Sequence, residues 1–364
     1  MKRRDLLLGL GGAAAGLLFG QACRSTPADA PARPSPRAQV TRTTPDMRPD
    51  MAPVASDTPD LGAPTKPKIA LVKTSDRVEG IERAIALFGV GALADRSVFL
   101  KPNFNSSDST PGSTHEETLV TLIEQMKELG AGPMTIGDRS GMGDTREVME
   151  HKRIFGLAKK HGLDAIVFDE LKRSQWRKMA PVGSQWRDGF YMPEPFMNAD
   201  FKLLTCCLKT HRYGGHFTMA LKNSVGLAAR KLPGSSYNYM HELHRSPIQR
   251  ELIAELNLAY QPDLIVLDAV EAFVDGGPAE GDRSRADMIL VGTDRVALDA
   301  LGVAMLRKLG TNDDVSRGDV FSLDQIDRAV ALGVGAASAD AFEVVTDDEP
   351  SRVLADELLA MLRS

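Results

Sequence analysis

The sequence predicts an α/β fold: a mostly parallel sheet with helices on both faces, built as a single large domain. Apolar runs of buried-strand length alternate with stretches of helical periodicity from residue 68 onward. Polar residues recur just after those runs, where parallel strands would end on a ligand-facing rim. With 364 residues, 43% hydrophobic and 26% charged, the chain has ample material for a packed core.

The chain opens with an export signal. Lys2, Arg3 and Arg4 precede an apolar run over 6–19 that is short for a membrane span. The arginine pair followed by Asp5, Leu6, Leu7 and Leu8 resembles the twin-arginine signal, the bacterial route for folded proteins. An ordinary secretory signal that begins with two arginines is the alternative. Cys23 ends the run where a lipidated cysteine would stand, although Gly20 replaces the aliphatic residue of a lipobox. A periplasmic protein and a protein membrane-anchored through Cys23 therefore both fit. Residues 24–66, rich in proline and poor in large apolar groups, cannot offset their ordering entropy and read as a disordered linker. The division is thus 1–23 signal, 24–66 linker and 67–364 α/β domain.

Within that domain, 68–74 is a first strand and 78–88 an amphipathic helix. A second strand, 97–104, contains Pro102, which stops the ladder. Thr114 and Glu117 carry a capping-box signature for a helix that buries Leu119, Leu122, Ile123 and Met126 and ends at Gly130. A third strand over 133–141 brings Asp138 into a loop, and a helix over 145–160 precedes a fourth strand over 164–170. Residues 171–200, with Trp176, Trp186 and Tyr191, read as a hairpin or an excursion. The apolar run 201–208 delivers Lys209 and His211 at a strand end. A Gly214-Gly215 turn and His216 follow, then a helix start at Thr218 that carries Lys222 and Asn223. A helix over 247–260, a strand over 263–269, a glycine-rich loop over 275–281 and a strand over 286–294 come next. Asp294 caps a helix over 295–309, and helices near 322–332 and 351–363 close the chain.

The polar residues at strand ends define the candidate site. A rim of Lys, His, Asn and Asp would bind an anionic substrate and move a proton. Lys209, His211, Lys222, Asp138 and Asp268 are its candidate catalytic groups. Lys101, Asn103, Gly214, Gly215 and Asn223 are its candidates for holding a cofactor or ligand. Bland readings stand beside these: a turn residue for Asp138, a solvated charge for Lys101, a backbone partner for Asp268, and an ion pair with Asp138 or Asp268 for Lys222. A second option is a metal held by His211, His216, His241 and His244. His241 and His244 share a face if 240–245 is helical; the HExxH spacing is absent.

Several chemistries are excluded. A net charge of −5 with scattered basic residues gives no reason to expect nucleic acid, and 5% aromatics gives no stacking platform. Cys23, Cys206 and Cys207 build neither a disulfide framework nor an iron–sulfur cluster. There is no GxSxG elbow and no Walker A lysine, and 137–143 misses the GxGxxG spacing. The expected partner is a small anionic ligand, with a membrane involved only through the signal or a lipid anchor. An enzyme or cofactor-binding protein is the leading class, and a non-catalytic binding or scaffold lipoprotein the alternative.

The motifs LKPNF at 100–104, STPGSTH at 109–115, IGDRSG at 136–141, LKTH at 208–211, ALKNSVGL at 220–227, LDAVEAFVDGGPAEG at 267–281 and GTDRVALDALG at 292–302 run in order over most of 68–335. Together they resemble the domain of unknown function 362 family. That resemblance implies the fold class and the motif positions but little mechanism. Many members of that family carry a ferredoxin-like cysteine cluster that this sequence lacks, so redox roles do not carry over. The stretch H-x-x-G-G-x6-K from His211 to Lys222 also resembles the part of the nickel-pincer lactate racemase family where a His and a Lys hold the cofactor, with different spacing. This implies a nickel-cofactor enzyme as a further alternative.

Replacing Arg3 and Arg4 with lysine should block export, read by cell fractionation. Normal export of that variant would assign the signal to the general secretory route, and retention of Cys23→Ser in the membrane fraction would exclude a lipid anchor there.

Overall fold

The computed structural model describes residues 66–364; the expected export signal and the expected linker up to residue 65 lie outside the described residues. β1 (Lys68–Lys73) leads through Asp76, whose carboxylate accepts from Val78 N and Glu79 N, into α1 (Arg77–Phe88). β2 (Val98–Lys101) stops at Pro102, three residues short of the expected end. α2 (Glu116–Glu128) is capped by the His115 ring and not by Thr114, whose hydroxyl is taken by Asn103 N at 2.8 Å. β3 (Met134–Asp138) follows. The helix expected over 145–160 is two, α3 (Thr145–His151) and α4 (Ile154–His161), because Arg153 between them has a left-handed φ of 56°. β4 (Asp164–Val167) gives way to a 3-10 turn at Phe168. Residues 171–200 resolve as the antiparallel hairpin β5 (Trp176–Met179) and β6 (Phe190–Pro193), then α5 (Glu194–Met197). Trp176 and Trp186 are buried in the core there.

β7 (Phe201–His211) is longer than its apolar run, because β8 (His216–Thr218) folds back and pairs with its end. α6 (Ala220–Asn223), α7 (Tyr239–Arg245) and α8 (Gln249–Leu256) follow, so the segment holding His241 and His244 is helical. The largest departure is β9 (Leu264–Gly276) with β10 (Gly281–Gly292). The glycine-rich loop is the tip of one long antiparallel hairpin, and Asp268 falls in mid-strand. α9 (Arg295–Leu309), α10 (Asp313–Ser316), α11 (Asp324–Ala331), β11 (Glu343–Val345) and α12 (Glu349–Leu362) complete the chain. No helix among the described residues is long and apolar enough to cross a membrane.

The main sheet has the order β11-β1-β10-β9-β7-β2-β3-β4, with β8 added to β7. It is mixed and mostly parallel: the β9-β7-β2-β3-β4 run is parallel throughout, while β10 is antiparallel to both its neighbours. Alternation of side chains places Leu203, Leu264 and Val266 in a core with α1, α2, α3 and α4. Leu204, Cys206, Leu208, Ile265 and Leu267 face the other core, built with α6 to α9, α11 and α12. Cys206 and Cys207 are free and buried, as small core residues should be.

Connection order matters more for function. From β2 the chain steps outward to β3 and β4, then returns to the opposite side of β2 as β7. The order reverses between β2 and β7, so a crevice opens above their carboxyl ends.

Asp294 caps α9 as the sequence predicts, accepting from Ala297 N at 2.9 Å, and also takes Ala336 N at 2.8 Å. Asp294→Ala should therefore cost about 1–3 kcal/mol in urea unfolding. A variant as stable as wild type would show that neither bond matters.

Candidate functional site

Three parallel neighbours end on the same rim. β2 contributes Lys101, β3 contributes Asp138, and β7 contributes Lys209 and His211, which share a face by the two-residue strand period. Together with α6 and α7 they enclose a cavity of about 250 Å³. Its walls include Lys101, Asn103, Asp138, Lys209, His211, Lys222, Asn223 and His244. The expected common site is thus assembled from segments more than a hundred residues apart.

Lys101 and Asp138 form a fully buried ion pair at 2.7 Å. Burial pushes Lys101 down and Asp138 up, and each opposes the other's shift. Phe104 N and Arg139 N both donate to the Asp138 carboxylate at 2.7 Å, which holds its charge. Lys101 also donates to Pro102 O at 2.6 Å and to Asn223 Oδ1 at 2.9 Å, so all three of its N–H bonds are used. A Cβ on Gly226 would sit 2.6 Å from Asp138 Oδ1 and 2.8 Å from Lys101 Nζ, so only glycine fits against the pair.

Asn223 was expected to orient a ligand or Lys222. Its amide instead spans Lys101 and Thr205 O, the latter at 3.0 Å. Lys209 donates to Asn103 Oδ1 at 2.9 Å and to Gly112 O, which ties the loop after β2 to the end of β7. Burial lowers it to about 8.

Lys222 differs from both. It is buried, and among the described residues its amine has no hydrogen-bond acceptor and no carboxylate partner. Burial first, then the charges of Lys209 and Arg139, push it down to about 7. The ion-pair reading fails because Asp138 is taken by Lys101, and Asp268 by Arg77 at 3.0 Å. His211 is equally unserved: its Nδ1 is buried without a partner. Burial and the charges of Lys222 and Lys209 hold its ring well below the ordinary histidine range, hence neutral. A Cβ on Gly215 would lie 2.7 Å from Lys222 Cε and 2.9 Å from His211 Nδ1, so the two groups meet over that glycine.

α6 was expected to start at a Thr218 cap. Its N-cap is Met219, and the cap is supplied from α9: Asp299 accepts from Ala220 N at 2.7 Å and Leu221 N at 3.2 Å. Burial raises that carboxyl to about 8.

Some sequence candidates fall elsewhere. Asp268 lies on the α1/α2 face, held by Arg77 and by Thr118 Oγ1 at 2.7 Å, because the hairpin extends its strand well past it. Gly214, His216 and His241 do not line the cavity; Gly214 and Gly215 serve the β7–β8 turn. The four histidines therefore do not assemble, and no group of three or more metal-ligating side chains occurs among the described residues.

Sequence reading missed Arg139, whose guanidinium is spent on Ala228 O at 2.8 Å, Ser140 O and Val225 O, and Arg230, which reaches Ser140 O at 2.9 Å. It also missed Asp299, although a lone acid within the apolar 296–306 stretch was a readable signal.

The family model described as domain of unknown function DUF362 matches residues 98–304. The chain belongs to this DUF362 family. The matched span includes every strand end that lines the cavity. No curated protein matches the sequence. Among solved structures, the lactate racemase apoprotein from Thermoanaerobacterium thermosaccharolyticum is similar at 17% identity with a TM-score of 0.34. That match covers 60% of this chain and spans 53% of the racemase, too low a score to equate the two folds.

The folded state binds the Lys222 proton less tightly than the unfolded chain does. Its cost to stability is full below about pH 7 and fades as pH rises towards the ordinary lysine range. Lys222→Met should therefore melt at or above wild type near neutral pH. Lys101→Met strands the Asp138 carboxylate and should cost on the order of 3–5 kcal/mol. Urea unfolding of both variants compares them; an equal loss in Lys222→Met would mean that its amine has a structural acceptor.

Proposed function

We propose that the cavity binds a small organic anion and moves a proton on it, which makes this family member an enzyme. The observation that carries this reading is the unpartnered pair at Gly215. The Lys222 side chain is buried and its amine has no acceptor among the described residues, and His211 Nδ1 is buried with no partner, an arrangement costly to the apo-protein. A ligand that meets both groups removes that cost.

Charge supports the anion. Lys101, Lys209, Lys222, Arg139 and Arg230 line the cavity against Asp138 alone, and Asp138 is already paired. Phe104, Met142, Val225 and Met240 supply apolar wall, which suits a ligand with a short hydrocarbon body. The volume lies below the range typical of drug-sized ligands, so the ligand is metabolite-sized. His211 is neutral at physiological pH and presents an unprotonated ring nitrogen beside Lys222, which with its value about 7 exchanges a proton near neutrality.

Calorimetry of the full chain with acetate, pyruvate and inorganic phosphate tests the binding half. At least one anion should bind, with affinity falling as pH rises through about 7 and then about 8, where Lys222 and Lys209 lose their charges. No binding of any of the three would overturn the reading. Exchange of the pyruvate methyl protons into deuterated water, followed by NMR, tests the chemical half. It should fall by roughly 10²-fold or more in His211→Gln; binding without exchange would make the protein a non-catalytic binding module.

A further inference from the structure

Three lysines enter this cavity, and the structure uses them differently. Lys101 has spent every N–H on Asp138, Pro102 O and Asn223. Lys209 is tied to Asn103 and Gly112 and keeps one N–H. Lys222 alone has nothing among the described residues to donate to, and its Cε is pressed by the Gly215 backbone beside the bare Nδ1 of His211. A lysine that merely supplied charge would gain from an acceptor. One that is buried, unpaired and next to a neutral base is placed to react.

We propose that Lys222 is a Schiff-base nucleophile and that its substrate is a small oxo acid, a carbonyl compound that also carries a carboxylate. The assignment rests on the anion-binding reading above and names the substrate class of that site. Lysines become nucleophilic when desolvated or set beside another cation, and both conditions hold here. Burial with Lys209 and Arg139 leaves much of the Lys222 amine unprotonated near neutral pH. Lys209 and Arg230 keep unused N–H donors for the carboxylate. Phe104, Met142, Val225 and Met240 give the cavity apolar wall for the rest of the substrate.

The step balances without an oxidant or reductant. The Lys222 nitrogen lone pair attacks the carbonyl carbon, a C–N bond forms, and the carbonyl π pair moves to oxygen. His211 takes a proton from the attacking nitrogen and returns it to that oxygen. His211, neutral again, then carries the remaining proton of that nitrogen to the hydroxyl; the C–O bond breaks, water leaves, and a neutral C=N and a neutral His211 remain. The imine nitrogen, once protonated, draws electron density from the neighbouring carbon. A proton there is acidified, so the proton transfer already proposed for this site follows.

The test is reductive trapping. Full-length protein is incubated with pyruvate, 2-oxobutyrate or phenylpyruvate and cyanoborohydride, and the peptides are mapped by mass spectrometry. At least one oxo acid should label Lys222 selectively over exposed lysines such as Lys160. The rate should rise with pH through an inflection at about 7. Labelling should vanish in Lys222→Met, whose melting temperature shows that the fold is intact, and slow by roughly 10²-fold in His211→Gln. Calorimetric binding of an oxo acid without a Lys222 adduct would overturn this inference and leave the anion-binding reading standing. Labelling no faster than at Lys160 would overturn it as well. Neither binding nor labelling would end both readings.

Discussion

Lys101 and Asp138 close the ends of two adjacent strands, and the third hydrogen bond of that lysine, to Asn223, reaches the short helix α6 across the rim. Taking both charges out of water is costly, and the attraction between them offsets that cost only if the remaining lone pairs and protons are satisfied. Here they are: Phe104 N and Arg139 N serve the carboxylate, and three acceptors serve the ammonium. The pair thereby fixes the loops after β2 and β3 against α6. It also withdraws the only carboxylate among the described residues that line the cavity. Arg139 and Lys209 are answered by carbonyl and amide oxygens, and Lys222 is left with no acceptor among the described residues.

Topology decides where this happens. The crevice forms because β7 returns to the side of β2 opposite β3. Neither strand end alone is a site; Lys101 and His211 come to line one cavity only through that reversal. The long β9–β10 hairpin then supplies a wall, since Pro278 at its tip lines the cavity and Gly276 O accepts from Arg212 N at 2.9 Å. Sheet and hairpin thus enclose the polar groups that the strands deliver.

Most of the rim was legible in the sequence, because an apolar run followed by Lys, His or Asp reports a buried strand that ends in a polar place. That rule worked for Lys101, Asp138, Lys209 and His211. It failed for Asp268, which also follows an apolar run but whose strand continues for eight residues through a hairpin. Periodicity shows where burial is interrupted and does not show whether the strand stops. Local capping rules likewise found Asp294 and misassigned Thr114 and Thr218, where the capping groups came from His115 and from Asp299, the latter 78 residues from its nearer partner. The individual assignments of Asn223 and Lys222 were out of reach as well, since which amide serves which lysine depends on three strands meeting. Arg139 and Arg230 carried no pattern of their own.

α6 is a single turn of four residues, too short to hold its own shape. Its first two N–H groups are gripped by Asp299, and its Met219 cap nests against Gly302, where a Cβ would meet the sulfur at 2.1 Å. Both contacts come from one face of α9, a helix buried along its first three turns. The amine of Lys222 is therefore aimed from behind, by a core helix that does not line the cavity. Drift among relatives at 299 and 302 would redirect the reactive nitrogen while every residue lining the cavity stayed the same. What this cavity selects can thus be written in the core, out of sight of any comparison of site residues.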